Sequence, residues 1–269
     1  MNNKILKIFI IMIILLFLII SCSKENKKDI TVKLGCIGEF DIAILESLTG
    51  KLKEQNIILD LITFSDYSVL NKALVSKAID LNHFQHYAYF VNETNKNDYY
   101  LSIIDKTFIA DMNMYSDNLT NIGQIRLKSK IAVPEDDINL SRALKILDSI
   151  GFIRLKENNN KNYNYTFDDI RDNHLLLEFV PIKSVNMHSI MSKVDAAIVN
   201  YHFNFDFRNS NIIYEDDPSK YQSDMYVNVV AARLEDENNI TYKTIANLYK
   251  EKVSELINAG KIEGITMVD

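Results

Sequence analysis

Catalytic signatures are missing from this 269-residue sequence, which has no Gly-x-Ser-x-Gly elbow, no His-Glu-x-x-His pair and no glycine-rich phosphate loop. Enzyme chemistry therefore has no foothold here, and no cofactor is implied. The carboxylate pairs Asp136-Asp137, Asp168-Asp169 and Asp216-Asp217 sit in polar stretches and read as solvated turns. Histidine is scarce too, with five residues in all. His83 and His86 could form a metal pair, but His174, His188 and His202 fall in no ligand spacing and there is no His-rich loop, so a metal is not expected. Positive charge is in deficit: 30 Lys and Arg against 36 Asp and Glu leave a net charge of −6. That balance excludes nucleic acid as a partner, because phosphate binding needs a basic surface. Tryptophan is absent and glycine is limited to 7 residues, beside abundant Ile, Lys and Asn. This is a compositional bias of the source and carries no mechanism. No internal repeat is evident.

What is present begins at the N-terminus. Lys4 and Lys7 precede an apolar run of 13 residues, Ile8 to Ile20, and then Ser21-Cys22. A stable membrane-spanning helix needs about 20 apolar residues, so this run has instead the length of a signal-peptide core. A small residue directly before a cysteine, behind Ile19 and Ile20, resembles the lipobox of bacterial lipoproteins. The resemblance implies cleavage before Cys22 and lipid, including palmitate, on that residue. The chain would then sit on the extracytoplasmic side of the cell membrane, with residues 22–30 as a polar tether. With Cys22 lipidated, Cys36 is left alone and no intramolecular disulfide can form.

Removing the first 21 residues leaves 248, more than one compact core usually holds, so two lobes are expected. Ile30–Leu34, Ile57–Phe64 and Leu101–Ile109 read as strands, and Asp80–Phe84 as a short strand or turn. Between them lie helical patterns: one following Asp41 as N-cap, then Ser68–Lys77 and Gln85–Asn95. The alternation restarts with strand Lys130–Val133, the turn Pro134–Asp137 and helix Leu140–Ile150 closed by Gly151. A polar loop at 156–164, strands Leu175–Val180, Ala196–Val199 and Tyr226–Ala232, and helix Thr241–Asn258 complete it. Strands alternating with helices of 10 to 15 residues predict α/β lobes around mainly parallel sheets. Ligand sites in such sheets lie at the carboxyl ends of strands, which points to the cleft between lobes.

Five short stretches carry a family resemblance: Phe64–Tyr67, Asp80–Tyr89, Asn139–Leu144, Val194–Asn200 and Tyr226–Asn228. In this order, behind a lipobox, they resemble the methionine-binding lipoproteins of bacterial ABC importers, the NlpA/MetQ family. The resemblance implies a bilobal periplasmic-binding-protein fold, two α/β lobes joined by a hinge of crossover strands. Lobe one would hold residues 31–113 and 231–269, and lobe two residues 114–230. It also implies a monomeric solute-binding protein that delivers an amino acid, L-methionine first, to a permease and ATPase complex. The alternatives are another apolar amino acid, a methionine-containing dipeptide, or a surface lipoprotein with an adhesive role. The chain departs from the family at Gly38–Asp41, Leu140-Ser141 and Tyr201-His202, positions expected to flank the pocket.

A dehydrated amino acid needs both of its charges paired. Arg142, in the first turn of its predicted helix, is the candidate for the carboxylate, because an arginine fork grips it at two points. Asn139, Asn200 and Asn228 can donate and accept at once, so they are candidates for the remaining polar contacts. Tyr67, Phe84, His86 and Tyr89 are the candidate wall for the side chain, since thioethers pack well against aromatic rings.

Overall fold

The computed structural model describes residues 28–158, 164–200, 207, 209–217 and 223–268. The signal run, Cys22 and the Tyr201-His202 pair lie outside the described residues, as do the central residues of the 156–164 loop. Among the described residues no helix is long and apolar enough to cross a membrane.

The first part of the chain follows the β/α alternation. Strand β1 (Ile30–Cys36) leads to helices α1 (Glu39–Ser47) and α2 (Thr49–Glu54), then to β2 (Ile57–Thr63) and α3 (Leu70–Val75). Strand β3 (Leu81–His86), helix α4 (Tyr87–Asn97) and the long strand β4 (Leu101–Ala110) come next. In β1 Val32 and Leu34 are buried while Thr31 and Lys33 are exposed, the period of two expected for a strand. A Cβ added at Gly35 would stand 2.7 Å from Ile79 Cδ1 and 3.1 Å from the Phe64 ring, so a larger residue there would have to displace both side chains.

One residue after β4, strand β5 (Met112–Ser116) begins, and it belongs to a different sheet. Strand β6 (Lys130–Pro134), helix α5 (Asp137–Ser149) and the small hairpin β7 (Arg154–Leu155) and β8 (Ile170–Asp172) follow. Strands β9 (Glu178–Ile182), β10 (Ala196–Asn200) and β11 (Asn211–Tyr214) complete the second unit. The chain then returns to the first sheet through β12 (Val227–Arg233), helix α6 (Ile240–Asn258) and β13 (Ile265–Met267).

The two large sheets run β13-β4-β12-β3-β1-β2 and β11-β5-β10-β6-β9. Both are mixed, which corrects the expectation of mainly parallel sheets. β1 pairs parallel with β2 and β3, and β6 parallel with β9 and β10. By contrast, β12 lies antiparallel to β3 and β4, β13 to β4, and β5 to β10 and β11. The antiparallel strands are those adjoining the two passages between sheets, and at the first of these a single residue separates β4 from β5, too few for the helical crossover that a parallel pairing needs. The lobe limits drawn from the sequence, 113/114 and 230/231, fall inside β5 and inside β12.

Each sheet has its own core. Leu34, Leu45, Leu52, Phe108, Ile245 and Val253 pack around the first, and Met114, Ile131, Val133, Leu144, Leu147 and Ile198 around the second. Several local expectations shift. Asp41 is no N-cap: it sits inside α1, fully buried, and accepts a hydrogen bond from Tyr249 while facing His83 Nδ1 at 3.3 Å. The Leu175–Val180 strand begins later, at Glu178, and α4 begins at Tyr87 because His86 caps it. Helix α5 starts at Asp137, three residues earlier than expected, since Asp136 accepts the N–H of Asn139. That start moves Arg142 into the second turn.

Candidate functional site

The eight candidates from sequence converge on one cavity. Tyr67, Phe84, His86, Tyr89, Asn139, Arg142, Asn200 and Asn228 all line a cleft containing about 480 Å³ of empty space, part of it open to solvent. Ile37, Gln85, Ala110 and Asp111 line it as well. The walls come from the ends of β1, β3, β4, β10 and β12 together with the first turns of α5.

The two halves of the chain touch across this cleft. The Tyr67 hydroxyl donates to Asp136 Oδ2 at 2.6 Å, and His86 Nε2 meets Asn139 Oδ1 at 3.2 Å. His86 Nδ1 accepts the Tyr89 N–H, so Nε2 carries the proton and donates to Asn139. Asn139 Oδ1 also accepts from Asn200 Nδ2 at 2.7 Å, and its Nδ2 donates to Asp136. The Asn139 amide is thus saturated from three sides and works as a clasp between β3, β10 and α5. Below it, Ile138 of α5 packs with Ile37, Phe84 and Tyr89 in one apolar cluster. Together these contacts hold the cleft closed.

Arg142 is 3% exposed and faces the cavity. Its Nη2 donates to the Ala110 carbonyl at 2.7 Å and to Asp216 Oδ2 at 2.8 Å. The guanidinium also lies 4.6 Å from the Tyr226 ring centre, a cation–π contact. Burial pushes the Tyr226 phenol up to about 12, so it stays neutral beside that charge. Asp216 is itself held by the Met112 N–H, and its own N–H donates to Asn113 Oδ1. The reading of Asp216-Asp217 as a solvated turn is therefore corrected: Asp216 is buried and paired. Asp136 and Asp169 are likewise engaged in the fold, Asp136 through Tyr67 and Asn139 and Asp169 as the partner of Thr166.

The aromatic wall is compact. Tyr67 and Tyr89 meet edge to face with ring centres 5.5 Å apart, and Phe84 lies 6.1 Å from Tyr89. Desolvation raises the pKa of both tyrosines, more so for Tyr67 because Asp136 is adjacent, so both act as neutral hydroxyls. On the polar side Asn228 Nδ2 donates to the Phe108 carbonyl at 3.3 Å. Asn200 Oδ1 is buried with no hydrogen-bond partner among the described residues. A buried acceptor left open in this way costs free energy unless something else fills it.

His83 and His86 do not form a pair. Three positions apart on a strand they point to opposite faces, His86 into the cavity and His83 into the core against Thr107 and Asp41. Among the described residues no group of three or more His, Cys, Asp or Glu could hold a metal ion. Cys36 is buried and its thiol is pushed up to about 12 by desolvation, next by Asp41, which leaves it inert. Both residues of the Leu140-Ser141 departure lie off the cavity: Leu140 packs in the second core, and Ser141 Oγ accepts the Tyr165 N–H. Of the lining residues missed in sequence, Gln85 stands between Phe84 and His86, and Asp111 is a lone carboxylate in the apolar run Phe108–Met114.

Known proteins share this fold. Residues 32–267 match the NlpA lipoprotein family. A relative from Vibrio cholerae, named as a probable D-methionine-binding lipoprotein, is 27% identical over 90% of this chain and 91% of its own. The substrate-binding protein of a methionine transporter from Streptococcus pneumoniae superposes with a TM-score of 0.77 at 27% identity, covering 89% of this chain and 96% of that one. A YaeC-family lipoprotein from Enterococcus faecalis superposes with the same score at 29% identity, covering 89% and 100%. With the match running through nearly the whole described chain and both sheets in place, this protein belongs to the NlpA lipoprotein family.

Proposed function

We propose that this chain is the lipid-anchored substrate-binding protein of an ABC importer and that its cleft holds methionine. The observation that carries the reading is the convergence in one cleft of a buried guanidinium, an open amide acceptor and an aromatic wall. Arg142 offers a fixed positive charge for the carboxylate. Asn200 Oδ1 offers an acceptor for the ammonium, with Asn228 beside the same cavity. Tyr67, Phe84 and Tyr89 offer ring edges and faces to a thioether, each contact contributing about 0.3–1.5 kcal/mol. The names of the similar proteins from Vibrio cholerae and Streptococcus pneumoniae support the same ligand.

Mechanistically the two sheets close on the ligand, and the Tyr67–Asp136 and His86–Asn139 bonds latch the closed form. Ligand shifts the balance toward that form only through its greater affinity for it. The lobe boundary follows the sheets: β1–β4, β12, α6 and β13 on one side, β5–β11 with α5 on the other. Titration calorimetry against both hands of methionine and the other amino acids tests the reading. Methionine should give a saturable isotherm, and at a hundredfold excess over its dissociation constant it should stabilise the protein by about 2.7 kcal/mol. No heat and no thermal shift with any amino acid or methionine dipeptide would sink it.

The anchor belongs to the same proposal. Cys22 follows the apolar run at the position where a lipobox cysteine stands. Cys22→Ala should block lipid attachment and leave an unprocessed or shed protein. If the variant is cleaved yet still pellets with membranes after a high-salt wash, the anchor lies elsewhere.

A further inference from the structure

One ionisable residue of the cavity has no role in the account above. Asp111 is the single residue between β4 and β5, at the point where the chain leaves the first sheet for the second. Its N–H donates to the Gly264 carbonyl at 3.0 Å, which pins its backbone to the segment before β13. Both neighbours are tied into the arginine pair: the Ala110 carbonyl accepts from Arg142, and the Met112 N–H donates to Asp216. The Asp111 side chain itself lines the cavity with Asn139, Arg142 and Asn200, and it has no hydrogen bond or ion pair among the described residues.

The local charge count is unusual. The positive charge of Arg142 already faces the buried Asp216 at 2.8 Å. Asp111 therefore adds a second carboxylate to a wall that holds one guanidinium. Burial, and then repulsion from Asp216, lift the Asp111 carboxyl to about 6, with Glu215 and Asp217 adding to the lift and Arg142 opposing it. Among the described residues, the other titratable groups lining the cavity are His86 on β3 and the hydroxyls of Tyr67 and Tyr89, with Tyr226 packed edge-on to His86. None of these supplies a cation for Asp111, since His86 carries its one proton on Nε2 toward Asn139. A partly dehydrated carboxylate without a counter-charge is unfavourable, and so is the unfilled Asn200 acceptor across the same space. A ligand ammonium would answer both at once.

We propose that Asp111, at the crossover between the sheets, is the seat of the ligand's ammonium group, so that a free amino group is required for binding. This rests on the reading of the cleft as an amino-acid site. It assigns the two ends of the ligand to two adjacent parts of one wall, carboxylate toward Arg142 and ammonium toward Asp111 and Asn200. It also couples the ligand directly to the backbone link between the sheets.

The test is calorimetry on the full chain in detergent, wild type and Asp111→Asn, with methionine and with its desamino analogue 4-(methylsulfanyl)butanoate. The amide keeps the shape and removes the repulsion with Asp216. Because folding raises this carboxyl toward 6, its charge is unfavourable at pH 7.5, and the variant should melt no lower than wild type there. Asp111→Asn should weaken methionine about 10- to 100-fold at pH 7.5, toward the low end for one partner of a desolvated charge pair. The desamino analogue should bind wild type poorly and bind the variant no worse. Wild-type affinity for methionine should fall about tenfold between pH 7.5 and 5 as Asp111 takes up a proton, and the variant should lack that fall. Any fall common to both proteins belongs to His86 or another group. Methionine bound by both within threefold, with superimposable pH profiles, overturns the role of Asp111 and leaves the amino-acid site standing. Desamino analogue bound by wild type as tightly as methionine overturns it equally. If wild type binds no free amino acid at all, the reading of the cleft itself falls, and this assignment with it.

Discussion

Arg142→Ala is expected to cripple methionine binding and to weaken the fold in the same stroke. The side chains of Arg142 and Asp216 are 3% and 0% exposed, so truncating one leaves the other as a buried, uncompensated charge. Breaking such a pair costs about 3–5 kcal/mol of stability. The ligand carboxylate also loses its partner, about 2–5 kcal/mol, or roughly 30- to 4,000-fold in affinity. Denaturant unfolding and calorimetry read the two effects separately. Adding Asp216→Asn should recover much of the stability, because the amide oxygen can still accept the Met112 N–H and no charge is stranded. It should recover none of the binding. Arg142→Lys should restore only part of either, since an ammonium cannot reproduce the planar fork. If the single variant binds methionine within threefold of wild type, the carboxylate is held elsewhere.

Phe108→Ala is expected to give the largest loss of stability away from the cleft. Phe108 is fully buried on β4, stacked 6.3 Å from Tyr249 and edge-on to Phe40 at 6.1 Å and His83 at 5.7 Å. Truncation there removes apolar contact and leaves a cavity against rings that cannot follow it, for about 3–5 kcal/mol. Domains of this kind are commonly stable by only about 5–15 kcal/mol, so the unfolding midpoint should drop steeply. The denaturant slope should stay constant if only stability changes. The cavity would also open beside the His83–Asp41–Tyr249 contacts, which depend on dry packing to keep their geometry. A loss below about 1 kcal/mol would mean that the surrounding rings collapse into the space.

Much of the architecture was legible in the chain order. The strands at residues 30, 57, 101, 130 and 196 announce themselves as β-branched runs between polar breaks, and α6 as a long amphipathic stretch. Local pattern suffices there because each of these elements buries one face or a whole short run. The short strands β5, β11 and β13 carry no such pattern, since their pairing is set by partners as much as 159 residues away, as with Met267 against Phe108. The direction of pairing was equally invisible, and the mixed sheets follow from where the chain crosses between lobes.

For the site, the sequence by itself, through its family resemblance, singled out side chains with the chemistry of an amino-acid cleft: an arginine near a helix start, three asparagines, one of them ending a strand, and clustered aromatics. Tertiary structure alone decided how their charges are balanced. Asp216 reads as half of a solvated acidic turn and becomes the buried partner of Arg142. Asp41 reads as a helix cap and becomes a core carboxylate beside His83. Asp111 reads as nothing in particular and ends at the crossover, facing the cavity. A carboxylate looks the same in sequence whether it meets water or a guanidinium. What separates the cases is how far the fold removes solvent from it, and that depends on contacts between segments 42 or more residues apart.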